Sequence, residues 1–387
     1  MAGKKISIRL PQPPAEYEIA IGVGLLDSVG EFAAGRLAVG TRRIAVISNK
    51  KVFSLYGRRV LGSLALAGFE TSYFLIGDGE RFKNFRTLTA VLDFFAARGL
   101  TRSDAVLALG GGIVGDVGGF AASVYLRGLP FIQVPTTLLA MIDASVGGKT
   151  GINSHFGKNT IGAFHQPAGV LMDVETLRTL PQREFTAGMC EAVKQAAIAG
   201  DPLFSKTSAF IERLPLKKSS AHSRAALPPP DELIGLLGPH VKFKAEIVRA
   251  DERESPSNTT AHSRKILNFG HTFAHALERA FNYRYLKHGE AVGYGIRFAA
   301  ELSKRLELLP PDDVELLNGV VHRLGFLPAI NGIDEESVLG SFKFDKKAAG
   351  GAVQWVLLNG IGRPVIISGA DIPHTALKET FKKIISE

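Results

Sequence analysis

Short apolar runs alternate with amphipathic stretches through the first half of the chain. Each run is rich in β-branched residues and is bounded by Gly, Pro, Asn or Asp, which predicts buried strands at 43–48, 71–76, 105–109 and 130–134. Between them, 52–67 and 84–98 carry apolar residues three and four positions apart, which predicts helices. This alternation predicts an α/β domain whose parallel, Rossmann-like sheet is covered by helices on both faces.

The second half has mainly helical periodicity. Long amphipathic patterns predict helices at 183–199, 231–249, 266–280, 289–306 and 312–324. Two stretches rich in Pro, Ser, Asn and Thr, 215–230 and 255–264, interrupt this half and are predicted to be exposed loops. We therefore predict two domains, an α/β domain over residues 1–177 and a mainly α-helical domain over residues 178–387.

Composition and charge narrow the class of protein. The 387 residues carry 46 Lys and Arg against 37 Asp and Glu, a net charge of +9, while 45% of residues are hydrophobic. The basic residues are dispersed, which favours a small anionic ligand over nucleic acid or a membrane as the partner. The single cysteine, Cys190, cannot form an intrachain disulfide, and the N-terminus lacks the apolar core of a secretory signal. We expect a soluble cytoplasmic protein.

A glycine-rich stretch follows the third predicted strand. Gly110, Gly112 and Gly115 have the GxGxxG spacing that lets backbone amides approach a diphosphate at a helix N-terminus. No acidic residue lies about 20 positions on to hold a ribose, so a turn that only packs helix on strand stays possible. Residues 148–150, GKT, resemble the end of a P-loop, but Asp143 stands where its first glycine belongs, and we reject that interpretation.

Histidines and carboxylates in the second half suggest a metal site. His271 and His275 are four residues apart, hence on one helix face, and His288 follows 17 residues after the first. A catalytic zinc site takes three protein ligands and leaves one position open. Glu191, flanked by apolar residues, is the best candidate carboxylate. Spacing alone does not select the three ligands.

Many separated motifs, in order, resemble the 3-dehydroquinate synthase family of sugar-phosphate cyclases. They are DGERFK at 78–83, GGGIVGD at 110–116, RG at 127–128, PTTLLAMIDASVGGKTGIN at 135–153, GKNTIGAF at 157–164, TLRTLP at 176–181, EFTAGMCEAVK at 184–194, LNFGHTFAHALE at 267–278, KHGEAV at 287–292 and DKK at 345–347. The resemblance extends from residue 78 to residue 362, which is most of the chain. It implies an N-terminal NAD-binding domain, a C-terminal metal-binding domain, a site between them and a homodimer.

The resemblance also implies roles for individual residues. The metal, Zn²⁺ or Co²⁺, would be held by Glu191, His271 and His288. NAD would be contacted by Asp78, Gly79, Glu80, Lys83, Gly112, Gly115, Asp116, Thr136, Thr137, Lys149, Lys158, Thr176 and Thr179. The substrate would be held by Arg127, Asp143, Lys149, Lys158, Asn159, Lys194, Lys244, Arg264, Asn268, His275 and Lys346.

The implied reaction belongs to the shikimate pathway and explains the excess of cations. The substrate, 3-deoxy-D-arabino-heptulosonate 7-phosphate, carries a carboxylate and a phosphate. NAD takes hydride from C5, the new ketone acidifies C6, phosphate leaves from C7, and hydride returns before an intramolecular aldol closure. Three alternatives remain: a cyclase of secondary metabolism, a metal-dependent glycerol or alcohol dehydrogenase, and a catalytically silent protein with this fold.

Overall fold

The computed structural model describes residues 16–214, 224–325, 327–348 and 353–386, with the side chains of residues 343–348 excepted. The strands are β1 Glu18–Gly22, β2 Arg43–Asn49, β3 Glu70–Ile76, β4 Ala105–Gly110, β5 Phe131–Pro135, β6 Lys149–Ser154, β7 Gly157–Phe164, β8 Gly169–Asp173, β9 Gln354–Leu358 and β10 Pro364–Ser368. The helices are α1 Val29–Ala34, α2 Lys50–Val52, α3 Arg58–Leu66, α4 Phe85–Ala97, α5 Gly112–Val124, α6 Gln182–Ala199, α7 Leu203–Arg213, α8 Pro230–Ala250, α9 His271–Ala280, α10 His288–Arg305, α11 Pro311–Arg323, α12 Glu335–Ala348 and α13 His374–Ser386.

Six parallel strands form the N-terminal sheet in the order β1-β8-β5-β4-β2-β3. Side chains alternate between its two faces. In β2, Ile44 and Val46 pack with α1 and α3, while Ala45 and Ile47 pack with α4 and α5. The predicted doubly covered parallel sheet is therefore confirmed, and its four predicted strands are β2 to β5.

The second half is helical and is organised around α10. This helix is buried along most of its length because small residues let its neighbours approach closely. A Cβ at Gly289 would lie 1.9 Å from the Ala187 carbonyl oxygen of α6, and one at Gly295 would lie 2.0 Å from the Gly270 carbonyl oxygen beside α9. Because these positions are glycine, α6, α9 and α10 can approach closely at the ends where His271 and His288 begin α9 and α10. Within the described residues, no helix has both the length and the apolar character needed to cross a bilayer.

Two details differ from the sequence-based predictions. Helix 266–280 was predicted to be continuous, but a 3₁₀ turn, Arg264–Asn268, precedes α9. Gly270 separates them with φ 78°, where a Cβ would lie 2.8 Å from the Gly295 carbonyl carbon. The loop predicted at 255–264 is largely exposed through residue 262, whereas Ser263 and Arg264 are buried.

Other predictions are tested only in part. Of the loop predicted at 215–230, residues 215–223 lie outside the described part of the chain, and residues 224–229 are half-buried or exposed. The predicted domain boundary at 177/178 falls within the 3₁₀ helix Val174–Thr179 and stays a prediction.

Candidate active site

Three side chains predicted as metal ligands meet where α6, α9 and α10 converge. Glu191 is fully buried, and its Oε1 lies 3.8 Å from His271 Nε2 and 3.5 Å from His288 Nε2. Ligand atoms of a tetrahedral zinc site lie about 3.4 Å from one another, given metal–ligand bonds of about 2.0–2.1 Å. The trio therefore has close to the size that such an ion requires.

The hydrogen bonding of the trio also suits a cation. Neither carboxylate oxygen of Glu191 accepts a well-formed hydrogen bond from the described residues, although Lys194 Nζ lies 2.6 Å from Oε2. A buried carboxylate oxygen without a donor is costly unless a cation or hydrogen bond satisfies it. Oε1, which faces both imidazoles, is thus a natural ligand atom.

The two histidines are held by their Nδ1 atoms. His271 Nδ1 lies 3.3 Å from the Phe269 carbonyl oxygen, and His288 Nδ1 lies 3.3 Å from Glu278 Oε2. Burial, followed by the nearby charge of Lys194, lowers the pKa of His271 well below its usual range. Burial would also lower the pKa of His288, but the Glu278 carboxylate outweighs it and raises that pKa. A neutral His271 with Nε2 facing Glu191 is the form that ligates a metal.

Asp143 joins two buried lysines next to the trio. Lys244 Nζ donates to Asp143 Oδ1 at 2.7 Å and also to the Asp143 carbonyl, while Lys194 Nζ lies 3.9 Å from Oδ1. Burial would raise the pKa of Asp143, but Lys194 and Lys244 overcome it and lower that pKa. Burial lowers the pKa of Lys244 to about 8. The sequence predicted all three as substrate residues, and the structure brings them together.

A second carboxylate, Glu278 of α9, lies on the other side of His288. It is 2% exposed, and its Oε1 accepts from Lys158 Nζ at 2.7 Å. Glu80 Oε1 lies 3.7 Å from the same ammonium. His275 is near, with its ring centroid 5.9 Å from that of His288. His275, Glu278 and His288 could thus also surround a metal ion.

The β6–β7 hairpin carries the predicted lysines toward the helical half. Lys149 forms an ion pair with Glu254, and Asn268 Nδ2 donates to the other oxygen of Glu254 at 3.2 Å. Lys158 on β7 reaches Glu278 as described above. The sequence predicted several cations around one anion, and in the structure these lysines pair with carboxylates of the helical half.

Arg264 is more deeply placed than a surface loop residue. It is 2% exposed, its Nη1 donates to the Glu252 carbonyl at 2.7 Å, and its guanidinium lies 5.6 Å from the centre of the Phe164 ring. Gly147, with φ 95°, makes room for it, since a Cβ there would lie 2.5 Å from Arg264 Nη2. A side chain at position 147 would therefore displace the buried guanidinium of Arg264.

The predicted NAD contacts cluster at the carboxyl ends of the parallel strands. Apart from Lys149 and Lys158 of the β6–β7 hairpin, they follow β3, β4, β5 and β8, the edge at which open α/β sheets bind ligands. β4 ends at Gly110 and α5 begins at Gly112, so the glycine-rich stretch does open a helix whose N-terminus suits a diphosphate. Gly115 also serves packing, because a Cβ there would lie 2.9 Å from Gln133 Oε1. Thr136 Oγ1 is buried and has no hydrogen-bond partner among the described residues.

Several other predicted NAD residues have protein partners. Lys83 Nζ donates to Asp116 Oδ2 at 2.5 Å and to Asn159 Oδ1, which ties three predicted residues together. Thr137 Oγ1 accepts from the Ala140 amide. Tyr56 links Thr176 and Thr179, with its hydroxyl 3.0 Å from the Thr176 carbonyl oxygen and 2.5 Å from Thr179 Oγ1. Gly79, with φ 98°, shapes the turn after β3.

Three predicted residues are not brought into this cluster by the described contacts. Arg127 is exposed at the end of the 3₁₀ helix Tyr125–Arg127, with φ 70°, and Asp78 is exposed beside Gly79. Neither forms a hydrogen bond or ion pair with a residue that the structure describes. Lys346 belongs to α12, and its side chain lies outside the described part.

Sequence reasoning missed the carboxylates that partner the predicted cations. Glu254 accepts from Lys149 and Asn268, and its φ of 52° is unusual for a non-glycine residue. Glu278 joins Lys158 and His288. The position of Glu278, three residues after His275 and seven after His271 on one helix face, was a usable signal. Nothing local in the sequence pointed to Glu254.

Comparison with known proteins gives consistent matches over most of the chain. The family described as 3-dehydroquinate synthase N-terminal matches residues 73–187, and its C-terminal counterpart matches residues 188–348. A 3-dehydroquinate synthase of Nostoc sp. (strain PCC 7120 / SAG 25.82 / UTEX 2576) is 40% identical over 92% of this chain and 93% of its own length.

Two solved structures of related enzymes have the same fold. ValA, a 2-epi-5-epi-valiolone synthase from Streptomyces hygroscopicus subsp. jinggangensis 5008 with NAD⁺ and Zn²⁺ bound, superimposes with a TM-score of 0.82, at 25% identity over 98% of this chain and 99% of that chain. A 2-deoxy-scyllo-inosose synthase complexed with carbaglucose-6-phosphate, NAD⁺ and Co²⁺ gives 0.80, at 26% identity over 94% and 96%.

Proposed function

The chain belongs to the 3-dehydroquinate synthase family, and from that membership we propose that it is the lyase that converts 3-deoxy-D-arabino-heptulosonate 7-phosphate into 3-dehydroquinate and phosphate. The observation that carries the proposal is the placement of cations around the trio. Lys194 is buried beside Glu191 and shares Asp143 with the buried Lys244, and Lys158 reaches the opposite side of His288 through Glu278. A substrate with two anionic groups needs such cations, whereas a small neutral alcohol does not.

Glu191, His271 and His288 fit a divalent metal ion. Two imidazole nitrogens and a carboxylate oxygen without a hydrogen bond are the donor set of a catalytic zinc site with an open position. When bound there, Zn²⁺ or Co²⁺ would polarise substrate oxygens. The trio that includes Glu278 fits less well, because both of its carboxylate oxygens already have donors.

The carboxyl ends of β3, β4, β5 and β8 fit NAD. The α5 N-terminus and the Thr136 hydroxyl, which has no partner in the described part of the chain, offer groups for its phosphates and polar atoms. When bound, NAD would supply reversible hydride transfer, and the return of the hydride within one turnover makes its role catalytic.

The cations of the chain bind and orient the substrate. Lys194 lies beside Glu191, Lys244 shares Asp143 with it, and Arg264 is buried in the 3₁₀ turn that precedes α9; the donors of all three suit a carboxylate or a phosphate. Lys149 and Lys158 come from the hairpin of the N-terminal half and close the site from the other side. Each ammonium has three donors, so substrate oxygens could join their present carboxylate partners, Glu254 and Glu278. Asn159, Asn268 and His275 supply further polar contacts.

Phosphate release with a catalytic amount of NAD tests this function. Protein loaded with Zn²⁺ is incubated with excess 3-deoxy-D-arabino-heptulosonate 7-phosphate and NAD at a small fraction of the substrate. We expect equal amounts of inorganic phosphate and 3-dehydroquinate over many turnovers per NAD, without accumulating NADH. Steady NADH formation from glycerol would instead indicate a dehydrogenase. Turnover of a different sugar phosphate in place of this one would indicate a cyclase of secondary metabolism.

We further propose that the protein is a cytoplasmic homodimer whose partner is a small phosphorylated sugar acid. The fully buried, unpaired Cys190 suits a reducing compartment. Sedimentation analysis of the purified full-length chain tests the dimer directly, and a monomeric mass at micromolar concentration would contradict it.

A further inference from the structure

Glu278 is a buried carboxylate that ends the motif at 267–278 without a role assigned to it there, and each of its oxygens contacts a different part of the site. Oε2 faces His288 Nδ1 at 3.3 Å, and Oε1 accepts from Lys158 Nζ at 2.7 Å. The side chain is 2% exposed. A charge this deeply buried is retained only when its partners satisfy it, so the two contacts account for the ionised carboxylate.

The contact with His288 selects the tautomer of that imidazole. A carboxylate oxygen can only accept, so the proton of a neutral His288 must be on Nδ1. The lone pair is then on Nε2, which lies 3.5 Å from Glu191 Oε1. The Phe269 carbonyl, 3.3 Å from His271 Nδ1, has the same effect on His271. Both imidazoles thereby direct Nε2 toward Glu191.

The contact with Lys158 links the same carboxylate to the N-terminal half. Lys158 lies on β7, and its ammonium also lies 3.7 Å from Glu80, which follows β3. The ring centre of Tyr283 lies 5.0 Å from it. Glu278 is therefore the point where a lysine of the anion-binding hairpin and a candidate ligand of the metal meet.

We propose that Glu278 is a positioning residue that orients His288 for metal binding and holds Lys158 at the substrate-binding face. This inference rests on the proposed function, since it assumes that Glu191, His271 and His288 bind a divalent metal. Carboxylates that accept from the second nitrogen of a ligating imidazole fix its orientation and raise its affinity for the ion.

Replacing the Glu278 carboxylate by an amide prevents the side chain from accepting from both His288 and Lys158. In Glu278→Gln only one side-chain oxygen remains. If it accepts from His288, the amide NH₂ faces the Lys158 ammonium, donor against donor. If it accepts from Lys158, the NH₂ donates to His288 Nδ1 and moves the proton to Nε2, where it blocks the ligating lone pair. Neither arrangement satisfies both partners, so the amide weakens metal binding without a change in side-chain volume.

The test measures metal affinity rather than turnover. Metal-free wild type, Glu278→Gln and Glu278→Asp are titrated with Co²⁺, whose visible absorption reports its coordination, and with Zn²⁺ in competition with a chelator. We expect one Co²⁺ per wild-type chain and an affinity about 10- to 100-fold weaker in Glu278→Gln. Glu278→Asp keeps the charge on a shorter side chain, and we expect an intermediate affinity.

Two control variants separate positioning from a general loss of structure. Glu301 is also a buried glutamate, paired with Arg305 and Lys383 and not with a candidate ligand. Glu301→Gln should keep the wild-type Co²⁺ spectrum and affinity. Lys158→Met removes the other partner of Glu278 and should change metal affinity less than threefold, because His288 keeps its acceptor.

The outcomes distinguish this inference from the proposed function. If wild type binds no stoichiometric metal, the proposed metal site itself is wrong. If wild type binds metal and Glu278→Gln binds it equally tightly with the same Co²⁺ spectrum, only the role of Glu278 is overturned. The same holds if Lys158→Met weakens metal binding as much as Glu278→Gln does. If Glu278→Gln does not fold, Glu278→Asp decides by the same comparison, and a wild-type affinity and spectrum for it would overturn the inference.

Discussion

Asp143→Asn should destabilise the protein far more than the loss of a surface charge, because Asp143 compensates two buried lysines. Its carboxylate accepts from Lys244 at 2.7 Å and lies 3.9 Å from Lys194, which are 5% and 1% exposed. The asparagine has nearly the same shape, so the change removes charge and little packing. Lys244 then keeps only the Asp143 carbonyl among its present partners, while Lys194 keeps Glu191.

The size of the expected loss of stability follows from the burial of the two lysines and of Asp143. Breaking a buried ion pair by removing one partner costs about 3–5 kcal/mol, because an uncompensated charge remains. The Asp143 side chain is 23% exposed, which places the expected loss at the lower end of that range, about 3 kcal/mol. The exposed pair of Glu212 and Arg323 is the matched control, and Glu212→Gln should cost less than about 1 kcal/mol.

Urea unfolding of the metal-free protein measures the difference. The fluorescence of Trp355, the single tryptophan, buried in β9, reports the unfolding of the helical half. Asp143→Asn should lower the midpoint clearly, and Asp143→Asn combined with Lys244→Met should recover part of the loss because one uncompensated ammonium is gone. Equal midpoints for Asp143→Asn and Glu212→Gln would refute the argument that Asp143 compensates these lysines.

Three further predictions concern the site. His271→Ala should lose tightly bound zinc and activity, since two ligands hold the ion poorly; stoichiometric zinc in the dialysed variant, measured by atomic absorption, would contradict the ligand assignment. Burial sets the pKa of Lys244 at about 8, so kcat/KM should fall as pH rises through about 8 and the lysine loses the proton that binds an anion. In Lys244→Arg the guanidinium stays charged, so this limb of the pH profile should move upward, and an unmoved limb would assign it to another group. Arg264→Lys keeps the charge but loses the planar fork, so catalytic efficiency should fall roughly ten- to more than a hundredfold, the equivalent of about 1.5–3 kcal/mol, with metal content unchanged. Wild-type efficiency at subsaturating substrate would show that the fork is not used.

Local periodicity was sufficient for much of the fold. The β-branched run of β2 and the three-four spacing of α4 are decided by residues close in sequence, and both elements were predicted. The β6–β7 hairpin was not predicted as strands, because Lys149, Asn153 and Lys158 interrupt its apolar residues. These polar side chains contact residues far away in the sequence. The break before α9 depends on the approach of Gly295 from α10, which no local pattern contains.

The candidate site, like the fold, could be predicted from the sequence only in part. Motif resemblance named Glu191, His271 and His288, and the structure places them together although 80 residues separate the first two. The carboxylates that pair with the predicted lysines were not named. The pairing of Lys149 with Glu254, for example, is a long-range contact between two halves of the chain. Arg264 illustrates a third case: its candidacy followed from the motif, but its burial against Gly147 could be seen only once the hairpin and the loop were folded together.

The fate of a deuterium at C5 of the substrate tests the central claim most directly, since the proposed reaction removes and returns the same hydride. The labelled heptulosonate phosphate is incubated with the zinc-loaded protein and catalytic NAD, and 3-dehydroquinate and the nicotinamide pool are analysed by mass spectrometry and NMR. The account predicts that the deuterium remains on the same carbon in the product, with stoichiometric phosphate and an unlabelled NAD pool. Accumulation of deuterated NADH, or phosphate release from a substrate that lacks the C5 hydroxyl, would contradict it.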